Sequence, residues 1–301
     1  MAKDISKAER DLGLDSVLVS SLDESQWAMG EDVDIACVHS HIPDGVKRGK
    51  VIWFEHGTPE YTIQMSMMEA QKGYGAGDSW MLRQYWTSNS DGIVTFCPRH
   101  QAIIKAMCDQ HTRVECVPMG VDRDFWKPVD SRGKYAGAPS LFTAENCHFI
   151  KWPFDLFVIW PWIMQSLPKA RLHVNYLPYD QHRWWFPLIN SNGASFGSYI
   201  SPNLLDKESL RNAFCSTDYF IGLVRYGDFN KLCLEAKASG AKVISYKGNP
   251  YADYWINEGD QRDMAGTLSA ILLGIAEARK ADEVPDIKST AARMKEIYEG
   301  L

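Results

Sequence analysis

LEAKASGAKVISYKGN, residues 234–249, sets a run of helix formers directly before a β-branched apolar run. Leu234, Glu235, Ala236, Lys237 and Ala238 are helix formers, and Gly240 supplies a stop. KVISY is a short apolar run with β-branched residues, the pattern of a strand. Gly248 and Asn249 then read as a turn, with backbone N–H groups expected to be free. The unit is helix, tight turn, strand, turn, with an acidic residue, Glu235, in its helix. Such a unit serves either a polar ligand or ordinary α/β punctuation, and the rest of the chain decides between them.

Outward from this stretch the same alternation recurs. VDIACVHSH (33–41), VIWFEHG (51–57), DGIVTFCP (91–98) and RVECVPMG (113–120) read as strands, with a helix from about His100 to Asp109. Residues 61–88 read as helical or irregular. DFWKPVDSRGKYAGAPS (124–140) is rich in Pro, Gly and Ser and reads as a linker. Beyond it, SLFTAEN (140–146), ARLHVNYLP (170–178) and DYFIGLV (218–224) are strands, and WPFDLFVIWPWIMQSL and KESLRNAFCS are helices. A helical region follows from about residue 262. Alternating β and α elements imply parallel sheets covered by helices. The expected fold is therefore α/β, with two Rossmann-like domains facing across a cleft. The expected domains are 1–127, completed by a C-terminal helix at 285–301, and 128–284. Ligands in such folds sit at the carboxyl ends of strands. His56, Lys151, Gly248 and Asn249 all stand just after a strand-like run.

The 301 residues suit two average domains, and 45% hydrophobic with 23% charged residues is the composition of a globular protein. The net charge of −6 comes with mixed signs along the chain, so no nucleic-acid partner is predicted. A small anionic ligand remains compatible with it. The seven cysteines form no CxxC pair and read as small apolar residues of a reducing compartment. The N-terminus MAKDISKAER lacks the apolar core of a signal peptide. FDLFVIWPWIM (154–164) is too short to span a membrane and carries Pro161. The expected location is cytoplasmic.

The order of five segments resembles a GT-B glycosyltransferase, closest to the retaining glycosyltransferase family 4. VIWFEHGTPEY is similar to the N-domain strand ending in His-Gly, and GIVTFCPRHQAIIKAM to the strand, turn and helix further on. VECVPMGVDRDFWKP resembles the P-x-G-V-D…F-x-P entry to the second domain. SLFTAENCHFIKWPFDL resembles the strand and Lys-bearing helix start at the donor diphosphate. STDYFIGLVRYGDFNKLCLEAKASGAKVISYKGN resembles the donor segment with its Glu-Ala run. Three departures accompany the likeness. The family opens with a strand and Gly-rich loop, whereas MAKDISKAERDLG reads as the helix after them, so a truncated N-domain is expected. The family Glu eight residues before Glu235 is Gly227 here, beside Asp228. Glu145 and Asn146 stand where an Arg is usual, and Arg225 is a candidate to replace it.

The resemblance implies transfer of a sugar from a nucleotide-diphosphate donor, UDP- or GDP-linked, with retention and without a metal or other cofactor. The acceptor would be a sugar, lipid or protein, with peripheral membrane association an open option and the oligomeric state undetermined. It implies that Lys151, Gly248 and Asn249 bind the diphosphate. A cation at a helix start and a glycine turn together suit an anion. It implies that Glu235 accepts hydrogen bonds from the ribose diol, since a carboxylate is an acceptor only. His56 and Asp228 are the implied catalytic residues at the reacting sugar. For His56 a buried structural histidine is the other reading, and Asp228 stands one residue from the missing Glu. His39 and His41 share one face of a strand, but no further zinc ligands follow at sensible spacing. HRWWF (182–186) reads as an apolar plug rather than a stacking platform, and SFGS (195–198) falls where the family places its base-contacting loop. The departures leave a second reading open, a catalytically degenerate relative acting as a binding or scaffolding protein. A third is another GT-B enzyme, such as a sugar-nucleotide epimerase.

Overall fold

The computed structural model describes residues 2–17, 33–38, 48–55, 90–108, 111–130, 133, 135, 137–144, 154–175, 198–201, 203–224 and 230–301. The chain divides into two compact units, Met1–Asp122 with Pro285–Leu301, and Arg123–Val284.

The first unit is built on a four-stranded, fully parallel sheet in the order β1-β2-β3-β4: Val33–Val38, Arg48–Glu55, Gly92–Thr95 and Arg113–Cys116. Helix α1 (Ala2–Asp11) precedes it, and α2 (Pro98–Met107) links β3 to β4. Pro98 opens α2, where its fixed φ suits a first turn and its missing N–H costs nothing. Ile104 of α2 packs on Ile93 and Val114, with Trp53 and Met107 at the margin. The chain's last helix, α7 (Ile287–Glu299), belongs to this unit. Its start is tied to the segment after β4: Val121 N–H donates to Pro285 O, and Ile287 N–H to Val121 O, both at 3.0 Å. The Thr290 hydroxyl donates to Pro118 O and accepts the Gly120 N–H, each at 2.8 Å. At its other end, the Tyr298 hydroxyl donates to the buried Glu9 carboxylate of α1 at 2.6 Å.

The second unit holds a six-stranded parallel sheet of β5 (Ser140–Thr143), β6 (Arg171–Val174), β7 (Ser198–Ile200), β8 (Tyr219–Gly222), β9 (Lys242–Tyr246) and β10 (Tyr254–Ile256). Its order is β10-β9-β8-β5-β6-β7. One face packs on α3 (Phe154–Ser166) and α6 (Gln261–Leu272) through Leu141, Leu156, Ile159, Ile163, Ile244 and Leu268. Helix α3 is apolar on nearly every side, as a helix between a sheet and a second helix has to be. α4 (Lys207–Ser216) and α5 (Lys231–Ala238) lie against each other, with Phe142, Phe214, Phe220 and Trp126 meeting edge-on or tilted as a ring cluster at α4.

The helix–strand reading of residues 234–249 matches α5 and β9, with α5 ending at Ala238 and Gly240 at φ +93°. Several expected boundaries move. β2 starts at Arg48, three residues before the run expected at 51–57, and the run at 113–120 is strand only to Cys116. Pro161 sits inside α3 without ending it. The C-terminal helical region is two helices separated by residues 273–286. The six described cysteines are free thiols. Among the described residues, no helix is long and apolar enough to cross a membrane.

Candidate functional site

In the second unit, strand order runs one way from β5 to β7 and the other way from β5 through β8 to β10. The reversal lies between β5 and β8. A parallel α/β sheet leaves a crevice outside the carboxyl ends of its strands at such a point, because the flanking connections depart to opposite faces. The described residues there are Ala144 after β5, and Gly222, Leu223 and Val224 at the end of β8.

Gly222 is the hub of this edge. A Cβ there would lie 3.0 Å from both Asn230 Nδ2 and Cys233 Sγ. Only a glycine lets the strand end and the start of α5 come this close. Asn230 caps α5 by accepting the Leu232 N–H at 3.0 Å. The Gly222 carbonyl accepts the Ser245 hydroxyl of β9 at 2.9 Å. That hydroxyl in turn accepts Asn249 Nδ2 at 3.3 Å. A buried polar chain thus runs from the end of β8 to the turn after β9.

Glu235 stands one turn into α5 and is 6% exposed. Its carboxylate pairs with Lys231 Nζ at 3.3 Å, four residues earlier on the same helix. The pair is not the solvated surface pair common on helices, because the carboxylate is buried and the lysine is the more exposed partner.

The turn after β9 holds Gly248 at φ +117°, a region that side-chain-bearing residues rarely occupy. Asn249 is 1% exposed, and its atoms are engaged within the turn. Its Oδ1 accepts the Tyr251 N–H at 3.0 Å, and its carbonyl accepts Trp255 Nε1–H at 2.8 Å. Its own N–H donates to Tyr246 O at 3.4 Å. The Gly248 N–H has no acceptor among the described residues. One residue before the turn, the Tyr246 hydroxyl donates to the buried Asp155 carboxylate in the first turn of α3. That bond ties the end of β9 to the start of the helix following β5.

Of the residues expected at a site, Glu235, Gly248 and Asn249 are described, and all three belong to α5 or to the turn after β9. His56, Lys151 and Asp228 lie outside the described residues, as do His39, His41, Glu145, Asn146, Arg225, Gly227, 182–186 and 195–197. Asp155, Gly222, Asn230, Ser245 and Tyr246 were not singled out by the sequence. Gly222 closing an apolar run and Asn230 preceding a helix are signals that could have found two of them. Among the described residues, no group of three or more His, Cys, Asp or Glu is arranged to hold a metal ion.

Neither a family model nor a curated protein matches the chain in sequence. Solved structures do match it in shape. Sucrose-phosphate synthase from Thermosynechococcus elongatus is 15% identical with a TM-score of 0.67, over 84% of this chain and 68% of that one. The E. coli trehalose-6-phosphate synthase bound with UDP-2-fluoro glucose is 12% identical with a TM-score of 0.68, over 96% of this chain and 80% of that one. The pneumococcal O-GlcNAc transferase GtfA, in complex with UDP and GlcNAc, is 13% identical with a TM-score of 0.55. This match covers 84% of the present chain and 49% of GtfA, so the chain spans about half the length of that transferase. Identities this low speak for the fold alone. With two parallel-sheet α/β units and these neighbours, the chain has the GT-B fold.

Proposed function

We propose that the protein is a glycosyltransferase that moves a sugar from a nucleotide-diphosphate donor, UDP- or GDP-linked, to a sugar, lipid or protein acceptor, with retention and without a metal. The observation that carries this reading is Glu235: a buried carboxylate on the helix that leaves the switch point of a GT-B sheet. A buried acceptor-only group there suits the two hydroxyls of a ribose. Lys231 Nζ stands 3.3 Å from it, on the more exposed side of the pair. The Gly248 turn and Lys151 would take the diphosphate, through one backbone N–H and one cation. His56 and Asp228 would face the transferred sugar.

In this mechanism the bond between the anomeric carbon and the diphosphate oxygen breaks with its electron pair going to the diphosphate. The acceptor hydroxyl attacks from the same face. Its proton passes to the departing diphosphate oxygen, so no enzyme nucleophile is needed. Preorganised donors at the diphosphate act where charge grows, and losing one such donor costs on the order of 10²- to 10³-fold in rate.

The test is a thermal-shift panel of nucleoside diphosphates and nucleotide sugars on the full chain and on Glu235→Gln. A ligand held at about 100 times its Kd adds roughly 2.7 kcal/mol of stability to the wild type. One nucleotide is expected to raise the melting temperature of the wild type and not of Glu235→Gln, and its sugar conjugate is expected to be hydrolysed slowly without acceptor. No shift with any member of the panel would sink the transferase reading.

A further inference from the structure

The segment after α6 returns to the turn that follows β9 and is bonded to it. Arg279 Nη1 donates to Pro250 O at 2.8 Å and to Ala252 O at 2.7 Å. Its guanidinium lies over the Trp255 ring, 4.0 Å from the centroid. The same indole donates its N–H to Asn249 O. Asp282 N–H adds a second bond to Pro250 O at 2.9 Å, and Arg279 N–H donates to Asp253 O at 2.9 Å. The carbonyls of residues 249, 250, 252 and 253 are thereby all held by donors from Trp255, Arg279 and Asp282. Carbonyl oxygens repel an anion, and a turn that binds one has to hold them away from it while leaving an N–H free. The Gly248 N–H has no acceptor among the described residues. A planar cation stacked on an aromatic ring is a stiff way to hold two carbonyls at once, because the ring fixes the plane from which the N–H groups project.

We propose that Arg279, stacked on Trp255, is a positioning residue that presets the Gly248 turn for the diphosphate of a nucleotide ligand. This rests on the transferase reading, in which that turn takes the diphosphate. Arg279 acts through the turn: its donors are spent on carbonyls, and it fixes their direction.

The test compares binding of a nucleoside diphosphate, the matching monophosphate and the nucleoside, in the uridine and guanosine series, by titration calorimetry on the full chain. Arg279→Met removes both donors and the charge. Trp255→Phe keeps a ring beneath the guanidinium and removes only the bond to Asn249 O, so it separates positioning from long-range charge. For both variants the diphosphate Kd is expected to rise, by about tenfold or more for Arg279→Met, while the nucleoside and monophosphate Kd values stay within about twofold. Affinity falling equally for all three ligands, or a wild-type diphosphate Kd in both variants, overturns the positioning role and leaves the transferase reading standing. Arg279→Lys keeps the charge and loses the planar fork; wild-type diphosphate affinity in Arg279→Lys beside a loss in Arg279→Met also overturns it, since charge alone then explains the effect. A wild-type chain that binds no member of either series overturns both. Cooperative thermal unfolding of each variant guards against simple misfolding, and Trp255→Phe decides the outcome if Arg279→Met does not fold.

Discussion

At the scale of single residues, Gly248 and Asn249 divide the work that the sequence assigns to them jointly. The amide of Asn249 closes the turn through Tyr251 and Ser245, and its N–H donates to Tyr246 O. Gly248 supplies the positive φ and the N–H without an acceptor among the described residues. A Gly-Asn pair announces a turn in any sequence. The pair alone does not say which of its two N–H groups is spent; here the Tyr246 carbonyl takes that of Asn249. Gly248→Ala is expected to cost about 1–3 kcal/mol, because a Cβ at φ +117° is strained. Urea unfolding would measure this loss, and nucleoside diphosphate affinity should fall with it. An unchanged midpoint would mean that the turn readily adopts another conformation. Glu235 was legible as a helix residue beside a strand. Its burial was not, because an i, i+4 Lys–Glu spacing is the common signature of an exposed pair.

At the scale of elements, long periodic segments were easiest to read and very short ones were missed. KESLRNAFCS became α4 without a change of boundary, since Asp206 caps it through the Ser209 N–H at 2.7 Å. β7 and β10 are three residues each, too short to show an alternation, and they form because neighbouring strands offer free edges. The strand at Arg48 began earlier than expected for the same reason: pairing with β1, not apolar content, defines its start. Helix α5 is eight residues long, short for a helix that depends on its own turns. It therefore leans on its cap and on Gly222. Asn230→Ala is expected to remove about 1 kcal/mol of stability through the lost Leu232 bond. Asn230→Asp, which keeps an acceptor at the cap, is expected to lose less. Equal losses in chemical denaturation would assign the effect to packing against Gly222 rather than to capping.

At the scale of the whole molecule, the chain's two ends meet in one unit, and a titratable hydroxyl, that of Tyr298, bonds them there. α7 packs on α1, and the Tyr298 hydroxyl donates to the Glu9 carboxylate while lying 3.2 Å from Cys37 Sγ. Removal from water, with the charges of Cys37 and Glu9, raises the Tyr298 pKa above its usual value. Burial raises Tyr135 and Tyr219 in the second unit as well, with the charges of Tyr254 and Asp218 adding to Tyr219. An unfolded tyrosine ionises near pH 10, whereas these remain neutral in the fold. Above that pH the unfolded chain loses protons that the folded one keeps, so unfolding is favoured. The stabilisation is fully present below about pH 10 and is lost as the pH rises toward the raised folded values. The melting temperature is therefore expected to fall steeply above pH 10. In Tyr298→Phe the neutral-pH value drops, because Glu9 keeps only the Ser16 hydroxyl among its described side-chain donors, and the alkaline fall becomes shallower. A Tyr298→Phe profile parallel to the wild type across pH 9–11 would show that this hydroxyl does not carry the alkaline limb, and that the junction of α1 and α7 is held by packing instead.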